Sequence, residues 1–280
     1  MKFALFGIGS GPCTDPSVAR AVAVAAEDAG FESLWTGEHV VLPDPQAPPS
    51  PAPPLFPMLH PSTSLAFVAG VTSKIRIGTG IALIAQRNAV VLAKEMASLD
   101  VVSQGRLIFG VGAGYLKAEF DAIGVPFKER GARTDEYIDA MRELWTSESP
   151  AFSGRFVNYS GVQCRPQPVQ AGGPPIVVGG TSQAALTRAV TRCQGWYGFA
   201  LNHDSTEAAL SGLRDAAANN ERPAGLGDLE ISVTPGMQLT EDAVKRFEDM
   251  GVDRLILLQR GQDQAALLQE VEDVANNYIR

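Results

Sequence analysis

Short apolar runs alternate with helical segments along the chain. The first run, Phe3–Ile8, is continuously apolar and stops at Gly9, which is the pattern of a strand buried on both faces. Asp15 or Ser17 then caps a helix whose apolar positions recur at helical spacing and which stops at Gly30. This strand and helix make one βα unit, and the same alternation continues to the end of the sequence.

Seven further runs have the apolar character of strands. They are Phe31–Thr36, Ile75–Ile81, Leu107–Val111, Pro175–Val178, Gly195–Phe199, Leu229–Val233 and Arg254–Leu258. Between and after them, helical patterns occur at Pro61–Val71, Asn88–Ser103, Lys117–Phe127, Thr134–Thr146, from Ser182 through Arg192, at Ser205–Asn219, Glu241–Met250 and Gln262–Tyr278. Eight strands in this order favour a (β/α)8 TIM barrel over a doubly wound sheet, which seldom needs eight parallel strands.

Two stretches interrupt the alternation. Nine of the 19 prolines lie between Pro43 and Pro61, so the loop after the second strand has few backbone donors and no regular structure is expected there. We interpret this loop as a lid over a substrate pocket, with a disordered crossing or a dimer contact as the alternatives. Residues 152–168 have the pattern of a surface hairpin. The prediction is one barrel domain over residues 1–280, with insertions after strands 2 and 4.

Composition narrows the class of protein. The 23 basic and 31 acidic residues leave a net charge of −8 without a basic run, so nucleic acid and anionic membrane surfaces are poor candidates as partners. The three cysteines are widely spaced, which argues against a disulfide framework and for a reducing compartment. The N-terminus lacks a signal h-region and no window resembles a membrane span. We therefore expect a cytoplasmic protein that acts on a small molecule.

A barrel carries its functional site at the carboxyl ends of its strands, and four of these ends have unusual residues. They are Glu38-His39, Thr79-Gly80-Ile81, Gly112-Ala113-Gly114-Tyr115 and Gly179-Gly180-Thr181-Ser182. A histidine at the position of His39 suits proton transfer, although a buried, hydrogen-bonded loop histidine is an equally good interpretation.

The Gly179–Ser182 stretch has the clearest physical rationale. Its glycines let the backbone approach an anion, while Thr181, Ser182 and the amides of the next helix add donors, which favours phosphate binding over an ordinary helix cap. The Gly112–Gly114 turn is not a dinucleotide fingerprint, and a tight turn explains it equally well. No metal site is expected, because His60, His203 and Cys13 lack partners at ligand spacing.

Taken together, these strand ends resemble the luciferase-like monooxygenase superfamily and, within it, the F420-dependent oxidoreductases. The segments that carry the resemblance are Phe31–His39, Ile75–Gly80, Leu92–Glu95 with Gly105–Leu107, Gly110–Tyr115, Phe127–Gly131 and Pro174–Gly180. The resemblance implies a (β/α)8 barrel that holds a flavin or deazaflavin at its carboxyl rim.

The resemblance also implies roles for individual residues. His39 is expected beside the reactive face of the ring, and Gly80-Ile81 as a non-proline cis peptide beneath it. The turns Gly112–Tyr115 and Gly179–Ser182 are expected to hold the phosphate and side chain. Glu38, Thr79 and Asn88, which starts the third helix, complete the cofactor-binding set.

Two departures from the family pattern bear on cofactor and substrate. Ala113 stands where the FMN-using luciferases carry an arginine for the phosphate, which weakens the case for FMN. Tyr115 replaces the glutamate of the sugar-phosphate dehydrogenases, which disfavours glucose 6-phosphate. The hypothesis is an F420-dependent oxidoreductase in which His39 moves the proton. An FMN-dependent monooxygenase and a non-catalytic F420 carrier are the alternatives, and relatives suggest a homodimer.

Overall fold

The computed structural model describes residues 1–279 and contains a closed barrel. The strands are β1 Lys2–Phe6, β2 Ser33–Thr36, β3 Arg76–Thr79, β4 Ala82–Leu83, β5 Leu107–Gly112, β6 Phe152–Ser153, β7 Asn158–Tyr159, β8 Ile176–Gly179, β9 Gly195–Leu201, β10 Glu230–Pro235 and β11 Arg254–Leu258. Eight of them pair in parallel in the order β1-β2-β3-β5-β8-β9-β10-β11, and β11 returns to β1. The predicted (β/α)8 barrel is confirmed.

Helices surround this barrel and cover its outer face. They are α1 Pro16–Asp28, α2 Pro61–Val71, α3 Ala89–Val102, α4 Lys117–Ala122, α5 Arg130–Thr146, α6 Gln183–Arg192, α7 His203–Asn219, α8 Glu241–Asp249 and α9 Gln264–Val274. None of the helices within residues 1–279 is long and apolar enough to cross a membrane.

The apolar core has two parts. A large cluster lies between the strands and the helices, and a smaller one fills the barrel interior around Trp35, Tyr197 and Ile256. Gly78 makes room for the indole of Trp35, because a Cβ at Gly78 would lie only 2.6 Å from that ring. The barrel interior is therefore packed with side chains and is not a channel.

An ion cluster closes the amino end of the barrel. The guanidinium of Arg254 is fully buried and donates to both carboxylate oxygens of Glu32, at 2.7 and 2.8 Å, and of Glu230, at 2.8 and 3.2 Å. Burial would raise the pKa of both carboxyl groups, but the bonds and charge of Arg254 hold each pKa below its usual range. The opposite, carboxyl end is left for the candidate site.

The third predicted strand, Ile75–Ile81, is wrong as a continuous strand. The structure ends β3 at Thr79, has a cis peptide bond between Gly80 and Ile81, and resumes with Ala82 opposite Val111. The β3–β5 pairing ends at Gly78, whereas the amide of Gly80 still donates to the carbonyl of Thr36 in the neighbouring strand β2 at 2.7 Å. The cis bond is the one that the family resemblance implies.

Several predicted boundaries also shift. The helix expected from Thr134 begins at Arg130, because its polar first turn hides the apolar periodicity. The helix expected from Ser205 begins at His203, because Asn202 and Ser205 form a capping box. These differences lie at element ends, where pattern analysis is weakest.

Both predicted insertions are present. Residues 37–60 contain no helix or strand and make one isolated bridge, between Met58 and Ser10. The second insertion includes the hairpin of β6 and β7, which lies against α5. There the carboxylate of Glu136 accepts hydrogen bonds from the backbone amides of Arg155, Phe156 and Val157 at 2.9, 2.6 and 2.7 Å.

Candidate active site

Three of the four predicted strand ends meet at the side chain of Ile81. A Cβ at Gly112 would lie 2.8 Å from this side chain, and a Cβ at Gly179 would lie 2.6 Å from it. Glycine is therefore required after β5 and at the end of β8 so that Ile81 can lie between them. The kink after β3 and the turns after β5 and β8 share one rim of the barrel.

Aromatic rings form the floor of this rim. The ring of Phe6 approaches Gly80 and Gly37 so closely that a Cβ at either would lie 2.9 or 3.0 Å from it. Its centroid is 5.5 Å from that of Phe199, whose side chain is half exposed. The barrel mouth is thus closed beneath by the aromatic rings of Phe6 and Phe199, which we call the aromatic floor.

Glu38 faces away from His39. Its buried carboxylate forms an ion pair with Arg87, accepts a hydrogen bond from the amide of Leu83 at 2.6 Å and lies 3.8 Å from Nε2 of His60. Glu38 begins the long loop and His60 ends it, so this group joins the two ends of the loop to each other and to β4. The contacts of Glu38 are structural.

His39 lies between a buried carboxylate and an exposed phenol. Its Nδ1 is 3.4 Å from Oε2 of Glu119, and its Nε2 is 3.2 Å from the hydroxyl oxygen of Tyr115. The His39 side chain is only 8% exposed, whereas Tyr115 is 48% exposed. These three residues, which we call the Glu119–His39–Tyr115 triad, lead from the protein interior to the rim.

Glu119 is held as a carboxylate. Its carboxylate accepts hydrogen bonds from Nε2 of Gln86 at 3.0 Å and from the amide of Val40 at 2.5 Å. Burial would raise the pKa of Glu119, but the nearby His39 and the bond from Gln86 outweigh it and keep that pKa below its usual range. Burial and the charge of Glu119 raise the pKa of Tyr115, which favours the neutral phenol.

Other predicted site residues have clear structural contacts. Thr79 is buried and donates its hydroxyl to the carbonyl of Gly110 at 2.6 Å. Asn88 caps α3 by accepting from the amides of residues 90 and 91, and within residues 1–279 its side chain does not contact His39. Ser182 caps α6, while Thr181 and Gly180 are exposed beside it. The helix-cap interpretation therefore holds for Ser182, and the phosphate-binding interpretation of Gly179–Ser182 stays a prediction.

Sequence analysis missed Glu119, Gln86 and Arg87. Leu116, Glu119 and Phe120 lie at i, i+3 and i+4, and all three are buried. A glutamate on the apolar face of a short helix directly after a strand-end turn is the one signal that could have identified Glu119.

Comparisons with known proteins show the family to which the chain is similar. The sequence profile of luciferase-like monooxygenases matches residues 2–276. An uncharacterized protein of Mycobacterium tuberculosis is 30% identical over 262 residues, which cover 89% of this chain and 90% of that protein. The FMNH2-dependent dimethylsulfone monooxygenase of Pseudomonas putida is 31% identical over 175 residues, which cover 60% of this chain and 47% of that enzyme.

Solved structures share the fold. An F420-dependent secondary alcohol dehydrogenase, solved in complex with an F420-acetone adduct, superposes with a TM-score of 0.78 at 16% identity, covering 98% of this chain and 97% of that one. At this level of identity the likeness shows the fold alone.

Proposed function

Because the chain belongs to the luciferase-like monooxygenase family, we propose that it is an F420-dependent oxidoreductase that exchanges a hydride with a small organic substrate. The observation that carries this proposal is the Glu119–His39–Tyr115 triad at the rim where Ile81, Gly112 and Gly179 meet. A buried carboxylate, an imidazole and a half-exposed phenol in series are suited to proton transfer beside a hydride acceptor or donor.

The residues at the rim fit a deazaflavin. Gly180 and Thr181 are exposed just before α6, where the first-turn amides and the dipole of the helix favour a phosphate. The aromatic floor offers an apolar surface for a planar ring. Both amide atoms of Gln259, next to Gly7, are buried without a hydrogen-bond partner in the described part of the chain. A ligand with adjacent C=O and N–H groups would satisfy them.

The turn after β5 supports F420 over FMN. It presents Ala113 and no basic side chain. Arg130, the nearest arginine by contact, donates Nε to the carbonyl of Gly114 at 3.0 Å and Nη1 to that of Phe127 at 2.9 Å. Its guanidinium therefore holds the turn in place through these backbone contacts. A charge-assisted bond that would favour a phosphate at this turn is missing.

The chemistry divides between cofactor and protein. When bound, the reduced deazaflavin supplies a hydride and reacts poorly with oxygen. The triad would move the accompanying proton, and the aromatic floor would keep water from the barrel side of the site. Residues 40–59, which run between the neighbouring side chains of Glu38 and His60, would act as the lid. Gly179–Ser182, the backbone of Gly112–Gly114, and Gln259 are the residues that would hold the cofactor.

Cofactor preference is the first prediction. We expect F420 to bind at least about tenfold more tightly than FMN, since one missing charge-assisted contact corresponds to roughly 1.5–3 kcal/mol. Fluorescence quenching and difference spectra, recorded with the two cofactors side by side on the same protein, measure this ratio. Replacement of Thr181 by Asp should weaken both, because it places a negative charge where the phosphate would bind.

The second candidate function is an FMN-dependent monooxygenase, which the similarity to the Pseudomonas putida enzyme favours. It predicts tighter binding of FMN than of F420 and oxygen consumption when reduced FMN and substrate are present. That pair of results would replace the F420 proposal.

We also propose that the protein is a homodimer. The neighbouring helices α2 and α3 expose the apolar side chains of Phe67, Val91 and Val102, and exposed apolar residues on adjacent helices favour a contact with another protein surface. Val91→Glu should convert a dimer into a monomer in light scattering, while Val24→Glu on α1 is the matched control that should not. A wild-type protein that is monomeric at micromolar concentration contradicts the proposal.

A further inference from the structure

Both ring nitrogens of His39 face other residues of the protein and are not turned toward open solvent. Nδ1 faces the carboxylate of Glu119 at 3.4 Å and Nε2 faces the hydroxyl of Tyr115 at 3.2 Å, while the ring itself is almost fully buried. No nitrogen of His39 is left to contact a substrate. Tyr115 is the member of the triad that reaches the rim, with 48% of its surface exposed.

We propose that Tyr115 is the catalytic residue that exchanges the proton with the substrate, that His39 relays this proton, and that Glu119 is a positioning residue which fixes the proton on Nδ1. This inference rests on the proposed function, because it assigns the proton step of that reaction. It differs from the sequence-based expectation, in which His39 itself meets the substrate.

The donor and acceptor groups of the triad support these three roles. Nδ1 of His39 makes no hydrogen bond within the described residues and faces the Glu119 carboxylate at 3.4 Å, so the negative charge of Glu119 favours a proton on Nδ1. When Nε2 also carries a proton, it donates to the oxygen of Tyr115, and the phenol O–H is then free to point outward. The lowered pKa of Glu119 and the raised pKa of Tyr115 agree with a carboxylate at the inner end and a neutral phenol at the outer end.

The step balances for reduction of a carbonyl group. The carbonyl carbon receives a hydride from the reduced deazaflavin, and the C=O π pair forms a new O–H bond with the Tyr115 proton. The phenolate takes the Nε2 proton of His39, which leaves a neutral imidazole with its proton on Nδ1. Solvent then reprotonates the relay. Oxidation of a secondary alcohol runs through the same steps in reverse.

The chemistry also defines the substrate class. A phenol is a weak acid, and it donates efficiently to an oxygen that becomes basic as the hydride arrives. The aromatic floor favours an uncharged molecule, and Arg87 beside the rim is paired with the carboxylates of Glu38 and Glu95. We therefore assign neutral ketones, aldehydes and the corresponding alcohols as substrates.

A cofactor-free experiment tests the triad. The chain has five tyrosines and three histidines, so NMR of carbon-labelled tyrosine and nitrogen-labelled histidine can be assigned with Tyr115→Phe and His39→Ala. Glu119→Gln should lower the pKa of Tyr115 and abolish the preference for the Nδ1–H form of His39. Asp121→Asn is the matched control, because it removes an exposed charge from the same helix, α4. Unchanged Tyr115 and His39 signals in Glu119→Gln would overturn the triad.

Turnover with reduced F420 and cyclohexanone as the probe tests the catalytic assignment. Tyr115→Phe should lower kcat roughly a hundredfold or more with the F420 Kd unchanged. Tyr159→Phe, in the hairpin on α5, is the control and should match wild type. A Tyr115→Phe protein that turns over like wild type while His39→Ala does not would overturn the role of Tyr115.

The remaining outcomes separate the two proposals. A wild-type protein that binds no F420 refutes the proposed function and, with it, the catalytic role of Tyr115, although the NMR result still decides whether the triad exists. A wild-type protein that binds F420 but does not reduce cyclohexanone or oxidise cyclohexanol overturns the carbonyl assignment.

Discussion

Turnover of the His39→Ala protein is expected to fall roughly a hundredfold or more, because the variant lacks the imidazole whose Nε2 gives a proton to Tyr115. Binding of F420 should be largely intact, since the predicted phosphate contacts lie at Gly179–Ser182 on another strand end. Steady-state reduction of cyclohexanone by reduced F420, together with fluorescence titration of F420, separates these two effects.

His60→Ala is the matched control for this experiment. His60 is the other histidine near Glu38, its side chain is 44% exposed, and it contacts neither Glu119 nor Tyr115 within residues 1–279. Its loss should loosen the end of the long loop without removing a proton-transfer group. Equal turnover in wild type and His39→Ala would remove His39 from the mechanism.

Arg254→Ala is expected to lower the free energy of unfolding by about 3–5 kcal/mol. The substitution leaves Glu32 and Glu230 without the guanidinium that bonds all four of their carboxylate oxygens. Chemical denaturation followed by circular dichroism measures the change. Arg214→Ala is the control, since its pair with Glu207 is exposed and should contribute at most about 1 kcal/mol.

The cluster of Arg254, Glu32 and Glu230 should also make the stability of the folded protein depend on pH. The pKa values of Glu32 and Glu230 are lowered in the folded protein, so both groups stabilise it above their usual pKa of 4.5. This contribution is lost as the pH falls below 4.5 through the folded-state values. Wild-type stability should therefore decrease more steeply in acid than that of Arg254→Ala. Parallel acid-denaturation curves for the two proteins would contradict this account.

The barrel could be predicted from the sequence because its determinants are local. Runs such as Phe3–Ile8 are apolar throughout, as strands with two buried faces must be, and glycines such as Gly30 stop the helices that follow. The rim could also be predicted, since the topology brings the carboxyl ends of all eight strands to one side. The resemblance added the cis bond at Gly80-Ile81, for which local pattern gives no signal.

The contacts of the rim could not be predicted in the same way. His39 and Tyr115 are 76 positions apart, and Val40 and Glu119 are 79 apart. No periodicity links residues at such distances, and only packing decides which carboxylate faces an imidazole. Glu38 is adjacent to His39 in sequence, and its contacts could not be predicted either. Its role in cofactor binding stays a prediction, whereas the structure shows its carboxylate in an ion pair with Arg87.

The joining of Glu38, Arg87 and His60 has an evolutionary consequence. The proline-rich segment leaves the barrel at Glu38 and returns to it at His60, and the side chains of these two residues lie close together. Insertions or replacements between residues 40 and 59 therefore need not disturb β2 or the imidazole of His39. In this arrangement the loop can determine which substrate binds, while the residues at the strand ends determine the reaction. New substrate preferences can then arise by exchange of a surface segment while the proton-handling residues stay unchanged.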